Sequence, residues 1–165
     1  MPDYRRLRVP GGCYFFTVNL YDRRRRLLVD HINALRAAVR EVRARHPFAI
    51  DAWVVLPNHM HCIWTLPDGD AAYPMRWRRI KTRFTFRIAG TGDAPIWQRG
   101  YWEHTIRSDA DYANHVAYIH YNPVKHGYVS RVRDWPYSTF HDAVAYGIVP
   151  PDWAGDVGHL DTTYE

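Results

Sequence analysis

The sequence predicts an α+β fold: an antiparallel sheet with helices packed on one face, plus one further helix. Two observations carry this. Apolar residues repeat with period two in four short runs and near 3.6 in the stretches between, and the order of the periods is β-α-β-β-α-β followed by a helix. Tyr14-Phe15-Phe16-Thr17-Val18-Asn19-Leu20 is the first strand, with Tyr14, Phe16, Val18 and Leu20 on one face. Arg23 to Arg26 follow in a turn. Asp30 is placed to cap a helix whose Ile32, Leu35, Val39 and Val42 fall at helical spacing. The second strand spans 48–56, Pro57-Asn58 forms a tight turn, and a third strand over 59–66 ends at Pro67-Asp68-Gly69-Asp70. A second helix runs from about Pro74 to Ala89 on a stripe of Trp77, Ile80, Phe84 and Ile88, and a fourth strand lies within 96–106. Ser108 opens a capping-box-like start with Asp111 where Glu or Gln is usual. That helix is expected to end near Asn122, because Pro123 discourages continuation and Gly127 supplies a left-handed stop. The order is the split βαβ, ferredoxin-like one.

At 165 residues, 47% apolar and 15% aromatic, the chain is expected to form one globular domain, 1–146, followed by an acidic tail, 147–165. No apolar run approaches the roughly 20 residues of a membrane helix. The opening Met1-Pro2-Asp3-Tyr4-Arg5-Arg6 lacks the apolar core of a signal peptide. Cys13 and Cys62 are too few for a disulfide framework or a cysteine-ligated zinc. A cytoplasmic protein with reduced thiols, working at the nucleoid, is the expectation. The tail holds Asp152, Asp156, Asp161 and Glu165 and no Lys or Arg, so the net +5 resolves into 22 basic against 13 acidic side chains, +9, for the body. A body this basic suits a polyanion such as nucleic acid. Folded over the groove, the tail carboxylates would compete with phosphate, and truncation after Tyr146 would then tighten DNA binding.

Two stretches carry chemistry. In the third strand His59, His61, Ile63 and Thr65 share one face, while Met60, Cys62, Trp64 and Leu66 make an apolar opposite face. Two imidazoles on the same side are ligand-like but do not close a metal shell, and Asn122 offers an amide oxygen as a third donor. Mg²⁺ favours oxygen and Mn²⁺ tolerates imidazole better, so the donors leave the metal open between them. Tyr118 sits one helical turn before Asn122 on the same face, and a phenol near a metal can act as a nucleophile. Tyr121, three positions on, is its rival. Tyr112, Val116 and Ile119 form the stripe expected to be buried, with Tyr118, Asn122 and His115 lying off it.

The second helix carries arginines 76, 79, 83 and 87 beside its apolar stripe, and between Arg76 and Arg87 there are six basic residues and no acidic one. Arg76, Arg79, Arg83 and Arg87 therefore read as a phosphate-following track, extended by Arg5, Arg6, Arg8 and Arg23 to Arg26. Trp97, Tyr101 and Trp102 can stack on unpaired bases, and Gln98 and Arg99 flank Trp97 on the same surface.

With these residues in hand, the sequence resembles the REP-associated tyrosine transposases, a branch of the HUH single-tyrosine transposases. The resemblance rests on Arg6-Leu7-Arg8 through Asn19, Leu56-Pro57-Asn58-His59-Met60-His61, Ile96-Trp97-Gln98-Arg99 with Trp102-Glu103-His104, Tyr118 to Gly127, and Trp135-Pro136-Tyr137-Ser138. It implies that His59 and His61 bind Mg²⁺ or Mn²⁺ with Asn122 as third ligand. It implies that Tyr118 attacks a DNA phosphate, leaving a 5′-phosphotyrosine link and a free 3′-OH. The implied substrate is single-stranded DNA folded into the hairpins of repetitive extragenic palindromes, handled by a monomer or homodimer away from any membrane. Related insertion-sequence transposases carry Gln where this chain has Asn122. Two rivals stand beside this reading: a hairpin-DNA binding module with little turnover, and a small-molecule zinc hydrolase, which leaves the arginine helix unexplained.

Overall fold

The computed structural model describes residues 9–88 and 94–155. Strand β1 (Cys13–Asn19) leads to a short helix α1 (Leu27–Asp30) and then α2 (Ile32–Arg45). A hairpin follows, β2 (Ala49–Val55) and β3 (His59–Thr65), then α3 (Tyr73–Arg87), β4 (Trp102–Thr105), α4 (Asp109–Lys125) and α5 (Phe140–Ala145). The four strands form one sheet in the order β2-β3-β1-β4, and every pairing is antiparallel. The β-α-β-β-α-β order expected from the periodicities is the order observed.

Side chains on a strand alternate faces, so adjacent residues of β1 look in opposite directions. Phe16 points to α3, with its ring 5.5 Å from Trp77, and Trp64 of β3 stacks on Trp77 at 4.2 Å. Phe15 points the other way, to Tyr118 and His115 of α4. Helices α2 and α3 pack on each other over the first face and α4 crosses the second. Tyr14, Phe16, Trp64, Tyr73, Trp77 and Phe84 are fully buried, and this aromatic mass is the main hydrophobic core. Residues 135–139 cover the free edge of β2: Val55 N–H donates to the Tyr137 carbonyl (2.9 Å), Thr139 N–H to the Trp53 carbonyl (2.9 Å), and the Trp135 indole to the Val55 carbonyl (3.0 Å).

Two local expectations are corrected. Asp30 does not cap the long helix. It ends the separate turn α1, and His31 precedes α2 with no side-chain cap. The fourth strand, Trp102–Thr105, lies within 96–106 as expected, and Trp97 meets the sheet through a bridge to Leu20. Pro123 does not stop α4, which runs on to Lys125. Proline there removes only the hydrogen bond its N–H would have given Ile119, in the last turn. The end is then closed by His126 N–H to the Asn122 carbonyl and Tyr128 N–H to the Pro123 carbonyl (both 3.0 Å), with Gly127 at φ 74 as expected. Ser108 does cap α4, accepting the Asp111 N–H at 3.0 Å.

No helix among the described residues is long and apolar enough to cross a membrane. Arg5, Arg6, Arg8 and the tail residues Asp156, Asp161 and Glu165 lie outside the described residues.

Candidate active site and nucleic-acid surface

The β3 face that carries His59 and His61 is not solvent-facing. Helix α4 lies over it, and His59, His61, Tyr118 and Asn122 are all buried. The two imidazole centroids are 5.0 Å apart, and the Tyr118 ring stands edge-on to His61 at 5.2 Å. The residues expected to lie off the buried stripe of α4 are thus buried, together with Ile119 of that stripe, whereas Tyr112 and Val116 are half-buried.

Each imidazole is oriented through Nδ1. His61 Nδ1 is hydrogen-bonded to Thr17 Oγ1 (2.8 Å), its directly paired neighbour on β1, and His59 Nδ1 to Asn58 Oδ1 (2.6 Å). That leaves Nε2 as the ligating atom of each ring. Nε2 of His59, Nε2 of His61 and Oδ1 of Asn122 are fully buried atoms with no hydrogen bond to them among the described residues, although each residue has partners through its other atoms. Two neutral imidazole nitrogens and an amide oxygen suit a divalent ion tolerant of nitrogen donors, so the residues present fit the metal that the resemblance implies. Lys125, two helical turns after Tyr118, donates from Nζ to Tyr118 Oη at 3.3 Å. His126 packs its ring 5.0 Å from His59.

Tyr121, the rival phenol, points elsewhere. Its ring lies against Gly155 and lines a cleft with Val124, Arg131, Arg133 and Trp153. Thr17, Asn58, Lys125 and His126 were missed from sequence. Lys125 and His126 had a usable signal, falling two turns from Tyr118 and one turn from Asn122. Thr17 had a weaker one, a lone hydroxyl in an apolar strand.

A second polar group sits beyond Phe15, where His104, Asp111 and His115 meet. Burial pushes the His115 imidazolium pKa down, only partly offset by its hydrogen bond to the Asp111 carbonyl. Burial works to raise the Asp111 pKa, but hydrogen bonds from His104 and the Arg107 N–H, with both imidazoles nearby, bring it below its ordinary value.

The arginine helix divides. Arg76 faces inward, 1% exposed, donating to the His46, Pro47 and Ala72 carbonyls and to both oxygens of Asp70. Its place on a phosphate track is corrected: the guanidinium is a structural clamp, and its hydrogen bonds hold the Asp70 carboxyl below the usual range. Arg83 and Arg87 both pair with Glu41 of α2, which is likewise pulled down. Arg78 and Arg79 are exposed, with Arg79 Nε near Met75 Sδ. Trp97 packs on Phe84 at 5.3 Å and donates its indole N–H to the Lys81 carbonyl, so its ring is largely spent on α3. Gln98 and Arg99 beside it are exposed.

No family model matches the chain. It is 55% identical over 157 residues to the REP-associated tyrosine transposase of Escherichia coli K12, covering 95% of this chain and 93% of that one. It is 44% identical over 167 residues to a Haemophilus influenzae Rd protein given the same name provisionally, covering 94% and 95%. Among solved structures it resembles a REP-associated tyrosine transposase bound to a REP hairpin, with a TM-score of 0.93 and 54% identity over 99% of this chain and 96% of that one.

Proposed function

The chain belongs to the REP-associated tyrosine transposases, enzymes that act on DNA, and from that premise we propose that it is a metal-dependent single-stranded DNA endonuclease and strand transferase that cuts at REP-type hairpins through Tyr118. The observation that carries the reading is the meeting of Tyr118 with the His59–His61 pair inside one chain, at 5.2 Å between the Tyr118 and His61 rings.

His59 and His61, with Asn122 on the facing helix, would hold Mn²⁺ or Mg²⁺. Bound there, the ion supplies positive charge to the oxygens of the scissile phosphate. The chain's own groups do the rest. Thr17 and Asn58 fix the imidazole rings, so that their lone pairs face the site without a rearrangement cost. Tyr118 Oη forms a bond to phosphorus as the bond to the 3′ oxygen breaks; the phenol gives up its proton and the departing 3′ oxygen takes one up. No external energy source is needed, because one phosphate ester replaces another. Lys125 sets an ammonium beside Oη, where it stabilises the phenolate that attacks and the phosphate it attacks. Since nucleophile and imidazoles come from one protomer, a monomer suffices. Tyr118 is 2% exposed, so a phosphate reaches Oη only when Lys125 or its neighbours shift.

A hairpin substrate is the reading best supported by the hairpin-bound relative. Among the described residues, the exposed Arg78, Arg79 and Arg99, with Arg23, Arg24 and Arg26, are available to follow its backbone. Labelled hairpin DNA and Mn²⁺ resolved on a denaturing gel test the proposal. A protein–DNA band is expected for the wild type and for Tyr121→Phe, and none for Tyr118→Phe. A band that survives Tyr118→Phe overturns the assignment, and binding without any band reduces the protein to a hairpin-binding module.

A further inference from the structure

We propose that His104, Asp111 and His115 form a second divalent-cation site, of the borderline class represented by Zn²⁺ and Co²⁺, which ties β4 to the opening turns of α4. This goes beyond the transposase reading and does not depend on it.

The placement follows from the sequence upward. His104 pairs with Phe15 across β1 and β4 and shares its face, the one covered by α4. Asp111 and His115 are four apart on that helix and so lie on one side of it. The Ser108 cap and the hydrogen bond from Arg107 N–H to Asp111 Oδ2 (3.0 Å) fix where the helix starts and where the carboxylate points. The result is two imidazoles aimed at one carboxylate. His104 Nε2 lies 2.9 Å from Asp111 Oδ2 and 3.1 Å from Oδ1, and His115 Nδ1 lies 3.0 Å from Oδ1. The two rings are stacked at 4.7 Å and 15°, and the three ligand atoms fall within 4.8 Å of one another.

This arrangement places two N–H protons, or one dication, against the same carboxylate. A dication there takes the place of both N–H groups: each neutral ring carries its one proton on the other nitrogen, and the ion bonds to both freed nitrogens and the oxygen at once. His115 Nδ1 also lies 2.8 Å from the Asp111 carbonyl, and the ion takes the place of that bond. The nitrogen-rich donor set disfavours Mg²⁺ and Ca²⁺. One side of the cluster is walled by Phe15, whose ring is 4.8 Å from His115. The other is open, with His104 30% and Asp111 22% exposed, which leaves a coordination position for water. Phe15 also stands between this cluster and His61, its ring 5.6 Å from that imidazole. The two clusters are therefore separate mononuclear sites and not a bridged pair, whose ions sit roughly 4 Å apart.

The test uses the full-length chain carrying His59→Ala and His61→Ala, so that the other imidazole pair is gone. Zn²⁺ and Co²⁺ are titrated by equilibrium dialysis with elemental analysis, alongside the visible ligand-field bands of Co²⁺. One ion per chain is expected, with low-coordinate Co²⁺ bands. Adding His104→Gln or Asp111→Asn is expected to weaken binding by at least about 100-fold and to abolish the bands. Circular dichroism verifies that each variant is folded, and if both fail, the parent titration alone decides. No ion bound by the parent, or equal affinity in a folded His104→Gln protein, overturns the proposal. The DNA adduct plays no part here, so either reading can fail alone.

Discussion

The two faces of the sheet are buried equally and filled with different materials. Toward α2 and α3 the strands present Tyr14, Phe16, Met60, Cys62 and Trp64, all buried against Tyr73 and Trp77. Toward α4, one residue along the same strands, they present Phe15, Thr17, His59 and His61, buried against His115, Tyr118 and Asn122. Hydrophobic burial accounts for the first face. It does not account for the second, where sinking imidazoles, an amide and a phenol costs free energy that packing does not return. Burial by itself therefore does not separate core from site; the chemistry of what is buried does.

Swapping a residue on each face sharpens the contrast. Trp64→Ala is expected to cost about 4 kcal/mol of stability, since it removes the ring stacked on Trp77; chemical denaturation reads this directly. His120 offers a buried imidazole outside both faces, on the far side of α4 against Phe140 and bonded to Thr139. Burial lowers its pKa to about 4, below the ordinary value near 6.5. The fold thus keeps the neutral ring, and stability present above pH of about 6.5 is lost as pH falls toward about 4, by roughly 3 kcal/mol in all. Urea melts across that range should show the loss, and His120→Gln should flatten it. His61→Ala belongs to the second face: cleavage should fall at least about 100-fold while the unfolding midpoint moves far less than for Trp64→Ala. If His61→Ala unfolds the protein as Trp64→Ala does, the second face is core after all.

The arginines of α3 give the smallest effects and the same lesson. Arg76→Ala should destabilise by about 2 kcal/mol, because Asp70 and three carbonyls lose a charged donor, and should leave the salt dependence of DNA binding unchanged. Arg79→Ala should leave stability alone and reduce that salt slope by about 1. Equal effects of the two on the slope would restore Arg76 to the DNA surface.

Much of this was legible in the chain. Alternation in 14–20 and 59–65 marks which strand residues share a face, and Ser108 with Asp111 marks where α4 begins. Local periodicity does not say what will cover a face. The polar side of β3 reads as ligand-like without showing that α4 buries it, and the arginine stripe reads as continuous until the carbonyls of His46 and Pro47, some 30 residues earlier, are brought to Arg76. Lys125 escaped for a related reason: the run past Pro123 looked like the end of a helix, yet the last turn tolerates a missing N–H and carries the ammonium back to Tyr118. The His104–Asp111–His115 meeting is close in sequence, with His104 and Asp111 seven positions apart, but it joins the end of a strand to the start of a helix, and neither period alone shows that the two side chains face each other.

Mass spectrometry of the protein–DNA adduct is the most direct test that Tyr118, His59 and His61 act as one site. After reaction with hairpin DNA and Mn²⁺ and digestion of both partners, fragmentation should place a phosphonucleotide on Tyr118, and none should form in the His59→Ala, His61→Ala protein. A modification on Tyr121, or an undiminished yield without the two histidines, would contradict it.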